Sequence, residues 1–363
     1  MSDGRPPGRR ALEAAAAQLV VGFEGETVPE DLRRFIAEAA PSGVVLFGRN
    51  IAGIAQTAAL IRELRSLWPT GAPTPIVAVD QEGGPVRRLK APQCPEVLQL
   101  PAAAELAALD DPALSAEAGR VVGAELAALG FNLDFAPVLD VDSNPQNPII
   151  GRRAFGKSPE IVARHALAFA RGLAASGVLS CGKHFPGHGD TAVDSHLTLP
   201  RLAHGLQRLR SVELVPFARA VAAGIPSLMT AHIVFEALDP QLPATLSPRV
   251  IPELLRGELA FDGVVFSDDL EMAAIAAHHD ADAIATLGRA ASVDIFLACR
   301  DLGRATALRD ALARLGPSAD ATRRIAKLRA AATDHAASVS QGPLPERAAA
   351  LALSRRLGLD ARA

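Results

Sequence analysis

The segment KHFPGHGDTAVDSH, residues 183–196, concentrates side chains that could transfer protons or bind a metal ion. Asp194 and His196 are two positions apart, so in an extended segment their side chains point to the same side. An aspartate that holds one imidazole nitrogen fixes the tautomer and raises the basicity of the other nitrogen. This spacing is typical of a general acid–base dyad.

A metal site is the main alternative for the same segment. His184, His188, Asp190, Asp194 and His196 together offer enough ligands for one. Against it, these residues lie among glycines and prolines and not on a rigid helix of the H-E-x-x-H type. An acid–base loop, a metal site and an ordinary solvated loop all stay open on this segment alone.

A second candidate lies in GVVFSDDLEM, residues 263–272, where an apolar run ends in Ser267, Asp268 and Asp269. A carboxylate at the end of a buried strand has a fixed position and suits a nucleophile that attacks a saturated carbon. The alternative is that one of the two aspartates caps the following helix, a role that suits Asp269.

Two further segments carry groups that could hold a polar ligand. Asp80 ends an apolar run and is followed by QEGGPVRRL, which contains Arg87 and Arg88. The paired glycines let the backbone pass close to a ligand, and a carboxylate beside a guanidinium can bind vicinal hydroxyls or a carboxylate. A structural ion pair is the alternative. The segment NPIIGRRAFG, residues 147–156, holds a second arginine pair.

Eight apolar runs could position these groups. Each is followed by polar or glycine-rich residues and then by a helical pattern, and near-continuous apolar runs are typical of strands buried on both faces of a parallel sheet. Eight such repeats favour an α/β fold, a (β/α)8 TIM-type barrel, over a doubly wound open sheet. The runs are residues 18–25, 43–50, 76–84, 131–142, 177–187, 225–235, 263–272 and 292–300.

Two observations favour the barrel over the open sheet. No G-x-G-x-x-G follows the first predicted strand, and polar residues collect at the C-terminal ends of several strands, where a barrel has its active site. The chain after Arg300 is helical in pattern and shows no linker leading to a second core. We expect a single catalytic domain over residues 1–363, with the barrel at about 15–300 and a C-terminal helical extension at about 301–363.

The composition is that of a globular protein with a large core, since 49% of the residues are hydrophobic and 21% are charged. The 37 basic and 40 acidic residues give a net charge of −3 without long runs, so neither nucleic acid nor a membrane is expected as a partner. Cys94, Cys181 and Cys299 are far apart and form no CxxC pair. We expect them to be reduced thiols in or near the core.

The N-terminal stretch RPPGRRALEAAAAQLVVGF has basic residues followed by an apolar part, as a signal peptide does. Glu13 and Gln18 interrupt the apolar part, which favours a first strand over a signal peptide. No uninterrupted apolar run approaches the roughly 18 residues that a membrane span needs. We therefore expect a soluble, cytoplasmic protein.

Taken together, the motifs resemble glycoside hydrolase family 3. KHFPGHGDTAVDSHLTLP is similar to the signature of the family's single-domain bacterial β-N-acetylglucosaminidases of cell-wall recycling. VAVDQEGG, GRRAFG and VFSDDLEM are similar to its other three motifs, in the same order and spacing. The similarity covers roughly residues 15–300, and four motifs in register are far more specific than any one of them.

The resemblance implies a role for each candidate residue. Asp268 would be the nucleophile that forms a covalent glycosyl-enzyme, His196 the general acid/base, and Asp194 its partner. Met272 would shape the pocket wall, and Pro85 departs from a motif in which that position is often arginine. The sugar-binding positions would be Asp80, Arg88, Arg153, Lys183 and His184.

The resemblance also implies a reaction, that of a retaining exo-β-N-acetylglucosaminidase, a β-N-acetylhexosaminidase. Its substrate would be a small carbohydrate, the muropeptide GlcNAc–anhydromuramyl peptide, and no metal or other cofactor would be needed. A family 3 β-glucosidase, or a GlcNAc phosphorylase that uses phosphate instead of water, is the alternative. We expect a monomer or weak homodimer, and a mobile loop that brings His196 to the sugar and holds it away from Asp268 without ligand.

Overall fold

Eight parallel strands form a closed barrel. The computed structural model describes residues 8–192, 199–338 and 347–358. Neighbouring strands around the ring follow chain order, and the ring closes where the last strand pairs in parallel with the first, with Leu19 opposite Phe296. The strands are β1 (Leu19–Val21), β2 (Gly43–Val45), β3 (Ile76–Val79), β4 (Leu133–Asp134), β5 (Leu179–Phe185), β6 (Ser227–Thr230), β7 (Val264–Asp269) and β8 (Ile295–Ala298).

Helices surround the barrel. A π-helical segment at Val250–Glu258 lies between α8 and α9, and short 3₁₀ turns occur at Gly48–Asn50, Gly151–Arg153 and Ala244–Leu246. The α-helices are α1 (Arg9–Ala16), α2 (Glu30–Glu38), α3 (Ile54–Ser66), α4 (Ala103–Ala107), α5 (Pro112–Leu129), α6 (Pro159–Ala175), α7 (Leu206–Ser211), α8 (Leu214–Ala222), α9 (Ala273–Ala276), α10 (Ala281–Ala290), α11 (Leu302–Leu315), α12 (Ala319–Ser338) and α13 (Arg347–Arg356).

Local sequence sets where several of these helices begin. Proline occupies the first position of α5 and α6, where its missing N–H needs no partner. The side chains of Asp111, Asp280 and Asp301 accept N–H groups from the first turns of α5, α10 and α11. Among the helices of the described ranges, none has both the length and the apolar character required to cross a lipid bilayer.

The predicted (β/α)8 TIM-type fold is confirmed. Each observed strand lies inside one of the eight predicted runs, and all of them are shorter, because the polar residues at the ends of the runs leave the sheet. Outside the barrel, two pairs of short strands form small two-stranded sheets. Gln81–Gly83 pairs with Val86–Arg87 as an antiparallel hairpin, and Arg201–Leu202 pairs with Val234–Phe235.

The barrel interior is filled by side chains from alternate strand positions. Val20, Val45 and Leu133 are fully buried there, and the rings of Phe135 and Phe266 meet edge to face with centroids 5.4 Å apart. The three cysteines predicted to be reduced and near the core are free and buried. The interior is therefore a packed core, and ligands must bind at the end of the barrel.

Glycines let α5 and α6 pack against each other at very short range. A Cβ atom built at Gly119 would lie 2.1 Å from the carbonyl oxygen of Phe169, and one built at Gly172 would lie 2.1 Å from that of Ala116. Neither backbone atom can rotate away as a side chain could. The spacing of these two helices therefore depends on the absence of a side chain at both positions.

We expect Gly119→Ala to destabilise the protein, although alanine normally favours a helix over glycine by about 1 kcal/mol. The added methyl group would force α5 and α6 apart, which should lower the free energy of unfolding by about 1–3 kcal/mol. Gly205→Ala is the control, because no described atom lies within 4 Å of a Cβ atom there. Urea denaturation measures the free energy of unfolding of both variants. If Gly119→Ala were as stable as Gly205→Ala, the close packing of α5 on α6 would be contradicted.

Candidate active site

The C-terminal ends of the barrel strands surround a polar cavity of about 270 Å³. Seven of the nine predicted site residues line it: Asp80, Arg88, Arg153, Lys183, His184, Asp268 and Met272. The other two, Asp194 and His196, lie outside the described residues. The expected movement of the loop that carries His196 lies outside them as well.

A buried lysine ammonium holds two carboxylates at one side of this cavity. Lys183, on β5, places its Nζ 2.7 Å from Oδ1 of Asp80 and 2.6 Å from Oε1 of Glu82. Arg88 donates from Nη2 to the other oxygen of Asp80 at 3.0 Å. Burial alone would raise the pKa of Asp80, but the charges of Lys183 and Arg88 outweigh it and hold this pKa below its usual range.

Glu82 extends this network to Arg153. The Arg153 guanidinium, on the 3₁₀ turn that follows β4, donates to both oxygens of Glu82 at 2.9 and 2.8 Å. Burial would raise the pKa of Glu82, and the charges of Arg153 and Lys183 lower it instead. The neighbouring Arg152 turns outward and pairs with Glu105. Sequence reasoning missed Glu82, although its position two residues after Asp80 puts both carboxylates on one side of an extended segment.

Asp140 orients His184 from behind. His184 Nδ1 lies 2.7 Å from Oδ2 of Asp140, and the backbone N–H groups of His184 and His188 donate to Oδ1 of the same carboxylate. Burial would raise the pKa of Asp140, but these contacts, above all the charge of His184, lower it. An ionised carboxylate only accepts hydrogen bonds, so Nδ1 of His184 carries a hydrogen. Nε2 can then accept from a hydroxyl group when the ring is neutral and donate to a ligand oxygen when the ring is charged.

His188, a candidate metal ligand from the sequence, is a buried supporting residue. Its Nδ1 lies 2.9 Å from the Thr191 hydroxyl, and its ring packs edge to face on that of His184 with centroids 5.7 Å apart. Burial lowers the pKa of His188 to about 4, so the ring is neutral at physiological pH. Asp190, another candidate ligand, pairs with His204.

The described residues contain no arrangement of side chains that would support the metal-site alternative. Over residues 8–192, 199–338 and 347–358, no group of three or more histidine, cysteine, aspartate or glutamate side chains is placed to hold a metal ion.

Two adjacent carboxyl groups at the end of β7 differ in their pKa values. Burial would raise the pKa of Asp268, but nearby His232, His184 and the N–H of Asp269 lower it, so this carboxyl is ionised at neutral pH. Burial raises the pKa of Asp269 to about 6. The Asp269 side chain accepts the N–H of Glu271 at 3.0 Å, whereas α9 begins after Met272 and has no side-chain cap, so Asp269 stabilises the turn and not the start of the helix as predicted.

His232 supports the backbone that carries this pair of carboxyl groups. Its Nε2 lies 3.0 Å from the carbonyl oxygen of Asp269, and a carbonyl only accepts, so Nε2 carries the hydrogen. Its Nδ1 lies 2.8 Å from the Thr245 hydroxyl, which also contacts the Thr230 hydroxyl at 2.8 Å. Sequence reasoning missed His232, although it lies two residues after the end of β6, as other site residues lie just after their strands.

Apolar side chains form the rest of the cavity wall. Met272 is buried at the start of α9, as its predicted wall position requires. The Arg88 and Arg49 guanidinium carbons lie 5.2 and 4.4 Å from the centre of the Phe47 ring. Pro85, the departure from the family pattern, is exposed in the turn of the hairpin and does not line the cavity.

The cavity combines a polar side and an ionised carboxylate that face each other across the barrel. Asp80 follows β3 and Asp268 ends β7, strands that lie opposite each other in a ring of eight. Alternating carboxylates and cations can bind vicinal hydroxyl groups, and apolar walls can pack on a ring. Such a site suits a polyhydroxylated ring with a reactive carbon next to Asp268.

Comparison with known proteins identifies relatives of this chain. The family model described as the glycosyl hydrolase family 3 N-terminal domain matches residues 11–327. A β-hexosaminidase from Pseudomonas aeruginosa is 40% identical over 300 residues, which cover 82% of this chain and 86% of that protein.

Solved structures agree with these sequence matches. A family 3 β-N-acetylglucosaminidase from Paenibacillus sp. superposes with a TM-score of 0.80 and 39% identity, and the match covers 97% of this chain but 63% of that longer chain. NagZ from Neisseria gonorrhoeae, in complex with N-trifluoroacetyl-D-glucosamine, superposes with a TM-score of 0.76 and 31% identity, covering 98% of this chain and 96% of that chain.

We expect Lys183→Met to lower the free energy of unfolding by about 3–5 kcal/mol near pH 7.5, because buried Asp80 and Glu82 lose their shared cation. In the wild type, the pKa values of these two carboxyl groups are lower in the folded than in the unfolded chain. They therefore stabilise the fold at pH values above the unfolded-state pKa, and this stability is lost as the pH falls through the folded-state pKa. In the variant both pKa values rise. The stability difference from the wild type should therefore shrink as the pH falls toward about 5.

Urea denaturation followed by circular dichroism at the two pH values measures this effect. Lys90→Met removes an exposed lysine and should stay within about 0.5 kcal/mol of the wild type. A loss for Lys183→Met as small as that of this control, or one that does not depend on pH, would contradict the role of the ammonium.

Proposed function

The chain belongs to glycosyl hydrolase family 3 and is a glycoside hydrolase of the β-N-acetylhexosaminidase type, and on that premise we propose that it is a retaining exo-β-N-acetylglucosaminidase. It removes terminal GlcNAc from peptidoglycan fragments of the GlcNAc–anhydromuramyl peptide kind. One observation carries the proposal. The ionised Asp268 carboxylate and a cluster of paired carboxylates and cations line the same cavity from opposite sides of the barrel.

Asp268 acts as the nucleophile. Its carboxylate attacks the anomeric carbon, the bond to the leaving oxygen breaks, and a covalent glycosyl-enzyme forms. Water then attacks the same carbon and releases Asp268, so two inversions give net retention. The lowered pKa of Asp268 supports this role, because only the ionised form attacks.

His196 acts as the general acid and then as the general base, and Asp194 orients its ring. The usual retaining glycosidase uses a second carboxylate for this role. An imidazole with a pKa near 6.5 can donate and recover a proton at neutral pH. A neutral imidazole also does not repel a carboxylate on the leaving group, as muramic acid carries. This assignment is supported by the i, i+2 spacing and by the family motif.

Asp80, Arg88, Arg153, Lys183 and His184 bind the hydroxyl and acetamido groups of the sugar. Glu82 and Asp140 position these residues through the contacts described above. Met272 packs on the sugar as part of the apolar wall.

The charge pairing in the cavity favours hydrolysis over phosphorolysis. Lys183 pairs with Asp80 and Glu82, Arg88 with Asp80, and Arg153 with Glu82. Every lysine and arginine among the described residues that line the cavity is therefore already neutralised, and a phosphate dianion would meet excess carboxylate. Incubation with substrate in phosphate buffer should yield free GlcNAc, and GlcNAc-1-phosphate as the main product would overturn this preference.

The cytoplasm is the compartment we propose. Three free, buried cysteines suit a reducing environment, where structural disulfides are rare.

We expect Asp268→Asn to lower kcat/KM for an aryl β-GlcNAc by about a thousandfold or more, because the amide keeps the shape of the side chain but cannot attack carbon. A 5-fluoro-GlcNAc reagent should label the wild type on the peptide that contains Asp268. Mass spectrometry of the digested protein would locate this label. Asp31→Asn, at an exposed position of α2, is the control and should keep wild-type turnover. Wild-type activity of Asp268→Asn, or a label elsewhere, would refute the mechanism.

We expect His196→Ala to affect substrates according to their leaving groups. Hydrolysis of a GlcNAc disaccharide should fall by about 10²–10⁴-fold, because its leaving oxygen needs protonation. The first step on an aryl glycoside with an acidic phenol should change far less. Pre-steady-state measurement of phenol release gives that step directly. Equal losses on both substrates would argue against the acid role of His196.

A further inference from the structure

Arg88 makes fewer hydrogen bonds to the protein than Arg153, the other arginine of the binding cluster. Among the described residues, its side chain donates one, from Nη2 to Asp80 at 3.0 Å. Its Nε is buried and has no hydrogen-bond partner among those residues. Arg153 donates to both oxygens of Glu82 and to the carbonyl oxygen of Ile149. A single contact does not fix the direction in which the remaining N–H groups of Arg88 point.

The ring of Phe47 supplies a second contact to Arg88. The Arg88 guanidinium carbon lies 5.2 Å from the ring centre, a distance at which an aromatic ring attracts a cation. Phe47 lies two residues after β2, lines the catalytic cavity and is half-buried, so water competes only partly with this contact. A planar guanidinium that is bonded at one end and lies near a ring has little rotational freedom left.

A second guanidinium holds the Phe47 ring. The Arg49 guanidinium carbon lies 4.4 Å from the ring centre. Its Nε donates to the carbonyl oxygen of Phe23 at 2.9 Å, and its Nη2 donates to that of Cys299. These carbonyl groups lie just after β1 and β8. Arg49 therefore ties the ring to the ends of two other strands of the barrel.

Asn50 fixes the backbone of the same turn. Its Oδ1 accepts the N–H of Phe47 at 2.9 Å, and its Nδ2 donates to the carbonyl oxygens of Phe23 and Gly25 at 3.0 and 2.7 Å. Asn50 is buried. The protein alone therefore sets the position of the ring, without a contribution from a ligand.

Each of the two guanidinium groups near the ring also has a carboxylate partner. Arg49 Nε lies 3.4 Å from Oε1 of Glu24, and Arg88 pairs with Asp80. These opposite charges reduce the repulsion between the two cations, so both can lie near one ring.

We propose that Phe47 is a positioning residue for the reaction. Its ring, held by Arg49, fixes the Arg88 guanidinium so that a free N–H group of Arg88 donates to one hydroxyl group of the sugar. This inference rests on the proposed function, in which Arg88 binds the sugar. Because Phe47 acts through Arg88, loss of the ring should affect only substrates that carry that hydroxyl group.

The test uses an aryl β-GlcNAc and its three monodeoxy forms, which lack the hydroxyl group at C3, C4 or C6. Arg88→Met first identifies the hydroxyl group that Arg88 binds. Removal of that group from the substrate should lower kcat/KM of the wild type by about 10–100-fold and should have little effect in the variant.

Phe47→Leu removes the ring and should lower kcat/KM for the parent glycoside by about tenfold. The form that lacks the hydroxyl group bound by Arg88 should change by less than about twofold, because the two losses are not additive. The other two deoxy forms should fall with the parent. Phe47→Tyr keeps the ring and should retain the wild-type pattern. Phe47→Met is measured beside Phe47→Leu, so that one variant suffices if the other does not fold.

Phe35→Leu is the matched control. The Arg309 guanidinium carbon lies 5.3 Å from the centre of the Phe35 ring, so this variant loses a contact of the same kind. Phe35 is on α2 and does not line the catalytic cavity. The ratios of kcat/KM among the four substrates should therefore stay at their wild-type values.

Two results would overturn the role of Phe47 and leave the proposed function standing. One is that Phe47→Leu and Phe47→Met alter all four substrates alike or not at all, or that Phe47→Tyr is impaired as much as they are. The other is that no hydroxyl group depends on Arg88. If the wild type hydrolyses none of the four glycosides, the proposed function fails and the inference fails with it.

Discussion

The Lys183 ammonium between Asp80 and Glu82 is the contact on which the rest of the site depends. It is buried in the barrel, where an unpaired charge would be strongly unfavourable, and the two carboxylates together keep it charged. Each carboxylate then recruits an arginine, Arg88 on the hairpin and Arg153 on the turn after β4. Segments that are far apart in the chain are joined by this alternation of charges and not by the strands alone.

Asp268 differs from Asp80 and Glu82, because the cations of this network pair with those two carboxylates and not with Asp268. The cations of the network are committed to Asp80 and Glu82, and Asp268 is held ionised by more distant positive groups and by one backbone N–H. His232, which binds the carbonyl of the next residue, fixes the turn at the end of β7. A reactive carboxylate and a binding cluster thus share one cavity without neutralising each other.

The strands and their polar ends could be predicted from sequence, because burial on both faces imposes long apolar runs and a barrel collects strand ends in one place. Asp80, Lys183 and Asp268 were found by that rule. Glu82 and Asp140 could not be found in the same way, since their importance comes from partners in other segments, Arg153 and His184, that no local pattern reveals. The assignment of Asp194 and His196 still rests on spacing and motif, since both lie outside the described residues.

The ion pairs of Lys183, Arg88 and Arg153 with Asp80 and Glu82 bear on the design of inhibitors. Among the described residues lining the catalytic cavity, three cations face Asp80, Glu82 and Asp268, with Asp269, whose pKa is about 6, as a fourth carboxyl group. The excess charge is negative and lies at the end of β7. A ring that bears a protonated nitrogen in place of the anomeric carbon would meet that charge directly. An anionic mimic of the sugar would find Arg88, Arg153 and Lys183, the lysine and arginines among the described lining residues, already paired. We therefore expect the layout of charges, and not the shape of the cavity, to favour cationic ring compounds.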